Sequence, residues 1–223
     1  MKVLIVGGGG REHAIALKIK ENPEVTALYA APGNGGIAKD ATCVDIAAKD
    51  VEGVVAFAKE KGIDFAVVAP DDPLVLGMVD ALNAIGIPCF GPDKKAAILE
   101  GSKVFSKNLM KKYGIPTAAY DMEKALAYLE TAPLPTVVKA DGLALGKGVI
   151  IAETKEQAQD AVHSMMADKV FGASGDHVVI EEFMTGPEVS VLAFTDGKTM
   201  VPMVSAMDHK RALDGDKGLN TGG

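Results

Sequence analysis

Two cysteines, Cys43 and Cys89, are all that 223 residues contain. Both stand in apolar, strand-like stretches, which excludes a disulfide framework and reads as two buried thiols in a reducing compartment. Long apolar runs are missing as well. Val3 to Val6 is far too short for the core of a signal peptide, no cleavage site follows it, and no later run reaches the length of a membrane span. The expectation is a cytoplasmic protein with no membrane partner. Positive charge is scarce, with 23 Lys and Arg against 30 Asp and Glu and a formal charge of -7. Without a Lys/Arg block, nothing is left to grip a nucleic-acid backbone non-specifically. Four histidines and two cysteines form no HxxxH or clustered Cys/His spacing, so no zinc site or other metal ligand set is expected.

What the chain does have is apolar content, 48% of its residues, enough for one large core or two ordinary ones. Short β-branched runs at Val3 to Val6, Thr26 to Ala30, Cys43 to Ile46, Phe65 to Ala69 and Ile87 to Phe90 alternate with helical patterns at Glu12 to Lys20, Val51 to Lys61 and Leu74 to Ala84. That alternation predicts an α/β fold with a doubly wound parallel sheet and functional loops at the carboxyl ends of its strands. The pattern changes after "FGPDKKAAILEGSK". Ser102 can cap a helix carrying Val104, Phe105, Leu109 and Tyr113, and Gly114 before Ile115-Pro116 ends it, which sets a domain boundary near Glu100. Strands around "PTVVKA", "GVIIAE", "HVVIEEF" and "EVSVLAFTDGKTMVPMV", with a helix from Lys155 to Ala167 and an Asp196-Gly197 hairpin turn, indicate an α+β second part.

The opening "VGGGGREHA" raises the question of which phosphate it holds. A dinucleotide fingerprint needs a third glycine where Glu12 or His13 stands, and an acid where the second strand ends in "APGNGG". Gly8, Gly9, Gly10 and Arg11 instead suit a single phosphate at a helix start, with Arg11 adding a charge-assisted contact. The alternative is a tight turn with a solvated Arg11. Pro32, Gly33, Asn34 and Gly35, and then Asp71 and Asp72 of "APDDPL", open at the same sheet edge. The two aspartates can accept from ribose hydroxyls, or Asp72 can simply cap the next helix.

A second glycine loop lies in "VVKADGLALGKGVII". Lys139 ends a strand, Gly142, Gly146 and Gly148 permit a mobile turn, and Lys147 sits inside it. A Walker A loop would lead from its lysine through Ser or Thr into a helix, whereas Gly148 and a strand follow here. A lid over a polyphosphate fits that order, and so does a merely structural hairpin. Further on, "VVIEEFMTGPEVS" can offer the backbone of Glu182 to Met184 to a purine edge, Phe183 and Met184 to its faces, and Glu188 to ribose hydroxyls. An ordinary loop of solvated acids is the alternative.

Taken in order, "VGGGGREHA", "APGNGG", "PDDPLVLG", "GSK", "VVKADGLALGKGV", "VVIEEFMTGPEVS" and "DHKRALDGDKGLNTGG" resemble the phosphoribosylamine-glycine ligase family, the glycinamide ribonucleotide synthetases of the ATP-grasp superfamily. The resemblance runs from residue 3 to residue 223. It implies ATP-dependent ligation of glycine to 5-phosphoribosylamine through glycyl phosphate, in purine biosynthesis. It also implies a pre-ATP-grasp domain over 1–100 and an incomplete ATP-grasp domain over 101–223 with a lid subdomain at about 120–188. Lys103 and Lys139 would contact ATP phosphates, Gly142 to Gly148 would form the lid, and Glu181, Phe183 and Glu188 would hold adenosine. The loops at Gly8 to Arg11, Pro32 to Gly36 and Asp71 to Leu74 would face phosphoribosylamine. Asp208, Lys210, Arg211, Asp214 and Asn220 would lie where glycine, acyl phosphate and γ-phosphate meet, with His209 positioning the intermediate. His13 would brace the first loop, and His163 and His177 would be ordinary surface or packing residues. Members of this family are nearly twice as long, so the ligands for Mg²⁺ are expected beyond Gly223. Two other readings stay open: a Rossmann-type module that binds a nucleotide without chemistry, and a sibling ATP-grasp carboxylase or formate-dependent transformylase.

Overall fold

The first apolar run becomes β1 (Lys2–Gly7), buried from Val3 onward. It is buried on both faces because it is the middle of a five-stranded sheet, which is why its sequence runs apolar without alternation. β2 (Ala27–Pro32), β3 (Thr42–Cys43), β4 (Phe65–Val68) and β5 (Cys89–Phe90) complete the order β3-β2-β1-β4-β5, every pair parallel. Successive side chains of β1 point to opposite layers. Leu4 and Val6 pack with Val54 and Ala58 of α2 (Val51–Lys61) and with Met78 and Leu82 of α4 (Met78–Ala84). Val3 and Ile5 pack with Ala16 of α1 (Gly10–Lys20). The computed structural model describes residues 1–118, 120–121, 125–144, 148–207, 211–215 and 217–220.

Two details depart from the sequence expectation. The helix expected over Leu74 to Ala84 begins earlier and is broken, with α3 spanning Asp71–Leu76 and α4 restarting after Gly77, whose φ of 92° is the left-handed region that glycine tolerates. The two thiols are not fully buried. Cys43 and Cys89 are both partly exposed because β3 and β5 are the two-residue edges of the sheet, and burial still pushes the Cys89 thiol up to about 11.

The second sheet has the order β6-β9-β7-β8, from β6 (Tyr120–Asp121), β7 (Thr136–Ala140), β8 (Val149–Ala152) and β9 (Val178–Glu182), all antiparallel. One face carries Val138, Ala140, Val178 and Ile180 against Ala158, Ala161, Val162 and Met165 of α8 (Lys155–Met166), capped by Thr154. By strand alternation the opposite face carries Val137, Lys139, Val179 and Glu181. Before this sheet come α5 (Lys94–Gly101) and α6 (Lys103–Tyr113), and α7 (Ala125–Leu129) lies between β6 and β7. Ser102 caps α6 by accepting from Phe105 N, and Gly114 ends it in the left-handed region, both as its sequence signals. The expected apolar stripe of α6 is not what it buries: Phe105 and Tyr113 are exposed, and Lys107 is its buried residue.

The chain divides into two compact units, Met1–Phe183 and Met184–Gly223. The second holds two hairpins: β10 (Ala193–Thr195) with β11 (Met200–Pro202) around the Asp196-Gly197 turn, and β12 (Arg211–Leu213) with β13 (Lys217–Asn220). No helix among the described residues is long and apolar enough to cross a membrane.

Candidate functional site

The loops after β1, β2 and β4 meet at one edge of the parallel sheet. Gly33 N donates to the Gly7 carbonyl at 3.1 Å, and Asn34 Nδ2 donates to the Gly8 carbonyl at 2.8 Å. A β-carbon on Gly8 would stand 2.5 Å from the Gly33 carbonyl oxygen, and one on Gly7 would stand 2.9 Å from Pro70 Cγ. Gly8, Pro32, Gly33, Asn34 and the segment before Asp71 are therefore brought together by close backbone approach, the Asn34 amide and the Pro70 ring. Gly10 and Gly35 differ: a β-carbon on either would meet nothing within 4 Å, so both look into open space beside the exposed Arg11.

Glu12 governs the start of α1. Its buried carboxylate turns back to accept the Gly9 N–H at 2.6 Å, so the protein itself satisfies the first orphan donor of this helix. His13 packs on Gly36 and meets Asp40 Oδ2 at 3.2 Å, which braces the Asn34 loop as much as the glycine turn before it. Hydrogen bonds from His13 and then Lys20 hold the Asp40 carboxyl below the usual carboxylate range. Of the two aspartates after β4, Asp71 is exposed and Asp72 pairs with Lys49 Nζ at 2.5 Å. Neither caps α3, since Pro70 occupies that position and the two acids fill the first turn.

A second constellation lies on the face of the antiparallel sheet opposite α8. In the register, Val137 stands across from Glu181, so Lys139 is the diagonal neighbour of Glu181 on one face. Lys139 Nζ meets Glu181 Oε2 at 2.6 Å, and Lys107 Nζ, from α6, meets Oε1 at 3.1 Å. One turn earlier on α6, Lys103 Nζ donates to the carbonyls of Asp141 and Gly142 at 3.3 and 3.2 Å. Burial pulls the Lys103 ammonium below the usual lysine range, opposed by Glu100 and Asp141 and reinforced by Lys139. The Asp141 carboxylate accepts from Ser102 Oγ at 3.0 Å and from Val104 N at 2.7 Å, fastening the end of β7 to the start of α6. Lys103 and Lys139 thus stand with the stem of the glycine loop, an arrangement of ammonium groups and backbone able to neutralise a polyphosphate.

The stem of the glycine loop is closely packed. A β-carbon on Gly142 would lie 2.7 Å from Ser174 Oγ, and one on Gly148 would lie 2.7 Å from Ala144 Cβ. Gly142 N also donates to the Ser174 carbonyl at 3.1 Å. These two glycines stand where a side chain would collide with its neighbours, so each serves close packing. Gly146 and Lys147 lie outside the described residues, as do Asp208, His209 and Lys210. Glu181 is buried at the β9 end, whereas Glu182 and Phe183 are exposed beside it. Met184, Glu188 and Asp214 belong to the second unit and are exposed there, and the backbones of Arg211 and Asn220 face each other across β12 and β13. His163 and His177 are exposed. Sequence reasoning missed Lys107 and Asp141. Lys107 is four positions after Lys103 and so shares its helix face, the one signal that could have found it.

Among the described residues no group of three His, Cys, Asp or Glu side chains could hold a metal ion. The carboxylates nearest the lysines are engaged, Glu181 with two ammonium groups and Asp141 with the α6 cap. These residues therefore do not make a Mg²⁺ site.

Known proteins resemble this chain in sequence and in fold. The family model for the phosphoribosylglycinamide synthetase N domain matches residues 1–100, and that for the ATP-grasp (A) domain of the same synthetase matches residues 101–223. A phosphoribosylamine-glycine ligase from Allochromatium vinosum is 52% identical over 229 aligned positions, covering 100% of this chain and 54% of its own. The chain thus spans about half the length of the curated relatives it matches. The crystal structure of phosphoribosylamine-glycine ligase from Thermotoga maritima superposes with a TM-score of 0.81 at 33% identity, over 99% of this chain and 54% of that one. A biotin carboxylase structure from Campylobacter jejuni, at 17% identity with a TM-score of 0.74 over 90% of this chain and 49% of its own, shares the fold. The stitched glycine loops, the lysines at the second loop and the two adjoining family matches lead to one assignment: this chain belongs to the phosphoribosylglycinamide synthetase family.

Proposed function

We propose that the protein ligates glycine to 5-phosphoribosylamine at the expense of ATP, in purine biosynthesis in the cytoplasm. The observation that carries the reading is the placement of Lys103 and Lys139 at the stem of the glycine loop. In this reading the ammonium groups of Lys103 and Lys139 bind ATP phosphates, and the loop from Gly142 to Gly148 covers them. The backbone of Glu182 to Met184 takes the adenine edge, and Glu188 takes ribose hydroxyls. A glycine carboxylate oxygen attacks the γ-phosphorus and ADP leaves. The amine of phosphoribosylamine then attacks the acyl carbon, phosphate leaves, and the nitrogen gives up a proton. Both steps move negative charge onto oxygens that fixed cations stabilise, and the acyl phosphate survives only where water is excluded.

Gly8 to Arg11, Pro32 to Gly35 and Asp71 with Asp72 form the phosphoribosylamine side. Asp208, Lys210, Arg211, Asp214 and Asn220 line the glycine side. The domain division is at residue 100, with a lid subdomain at about 120–188. The Mg²⁺ ligands belong to family sequence beyond the segment matched here.

The full reading frame containing this chain should release phosphate only when ATP, Mg²⁺, glycine and freshly generated phosphoribosylamine are all present. Release driven by bicarbonate or formate in place of glycine would move the assignment to a sibling enzyme. NADH binding without ATP turnover would remove it from ligase chemistry altogether.

A further inference from the structure

Lys107 is the only residue that α6 buries, and a buried ammonium requires compensation. Its ammonium meets Thr117 Oγ1 at 2.7 Å, the Ala118 carbonyl at 3.2 Å and Glu181 Oε1 at 3.1 Å. The other oxygen of the same carboxylate holds Lys139 at 2.6 Å. Side-chain exposure rises across the trio, from 7% at Glu181 and 9% at Lys107 to 27% at Lys139. One negative charge is therefore shared by two cations, and the surplus positive charge appears at the more open one. If Lys107 were neutral, the whole carboxylate charge would fall on Lys139, and an approaching anion would meet a neutral pair.

We propose that Lys107 is a positioning residue for phosphate binding. By holding Glu181 from the buried side, it leaves the charge of Lys139 available to a polyphosphate. This rests on the nucleotide-binding reading above. It differs from a purely structural ion pair in one respect: Lys107 acts on the ligand only through Glu181.

The test is calorimetric titration of ATP with Mg²⁺, and separately of adenosine, into the protein made from the full reading frame, with folding checked by circular dichroism. Lys107→Met should weaken ATP binding by about tenfold or more, a loss that shrinks with added salt. Adenosine affinity should stay put. Adding Glu181→Gln to Lys107→Met should recover most of the lost affinity. A folded Lys107→Met protein with native ATP affinity would overturn the proposal, as would a loss that Glu181→Gln does not relieve.

Should Lys107→Met fail to fold, the comparison moves to Glu181→Gln with and without Lys107→Met, which leaves no lone buried carboxylate. There the Lys107 substitution should change ATP affinity by less than about threefold, and a tenfold loss would overturn the proposal. Lys139→Met is the control that separates the two readings. If it abolishes ATP affinity while Lys107→Met does not, only the role of Lys107 fails; if the native protein binds no ATP, the nucleotide reading fails with it.

Discussion

Lys103 begins α6 with its ammonium turned onto the carbonyls of Asp141 and Gly142, and burial lowers its proton affinity. A lowered pKa lets neutral Lys103 accumulate at lower pH than a free lysine would, and a phosphate oxygen beside it pulls the pKa back up. ATP binding in alkaline buffer should therefore take up protons, and more of them than binding at neutral pH. Titrations in two buffers of different ionisation enthalpy measure that uptake, and identical heats would take Lys103 away from the phosphates. Lys103 was legible only through the family resemblance carried by its Gly-Ser-Lys stretch, not through any local signal of its own. Lys107 was not, because helical spacing draws the eye to Val104, Phe105, Leu109 and Tyr113, whereas the burial of Lys107 depends on a carboxylate from β9.

At the scale of elements, local signals performed well where the cause was local. α2 runs from Val51 to Lys61 as its pattern indicates, because Asp50 accepts from Gly53 N at one end and Gly62 supplies a left-handed residue at the other. The stem of the glycine loop shows the opposite case. Nothing near Gly142 in sequence reveals that Ser174 will pack on it, so the glycine reads as freedom when it serves close contact. Gly148→Val should destabilise the fold by about 1–3 kcal/mol through overpacking against Ala144 and Ala140. Gly35→Ala, whose β-carbon meets nothing within 4 Å, should stay within about 0.5 kcal/mol of the native protein. Urea unfolding of the two variants checks both values, and equal midpoints would mean that the stem is loosely packed.

Over the whole molecule, burial is uneven. Met1–Phe183 contains both large sheets and all three buried apolar clusters. In Met184–Gly223, Val191, Leu192, Val201 and Val204 are all more than half exposed. Stability follows buried contact, so amides of β1, β7 and β9 should exchange with deuterium last and those of β10 and β11 first. Hydrogen-exchange mass spectrometry on the 223-residue chain reads this order, and uniform protection would contradict it. The architecture of the first unit was readable because strand, helix and strand alternate in the sequence. The hairpin at Asp196-Gly197 was readable as well, but its exposure was not, since periodicity predicts a strand without saying what covers it.

The carbonyl of Gly33 fits against Gly8 only because Gly8 carries no side chain, and Gly33 itself has a φ of 72° and leaves no room for a β-carbon beside the Cys43 sulfur. Grafting either loop alone from a distant relative would force a mismatch at this seam. Chimeras that exchange the segments around residues 8 and 33 together, with the residue at 43, should express and fold, whereas single grafts should not. The three stretches pack as one unit although they are distributed along the chain.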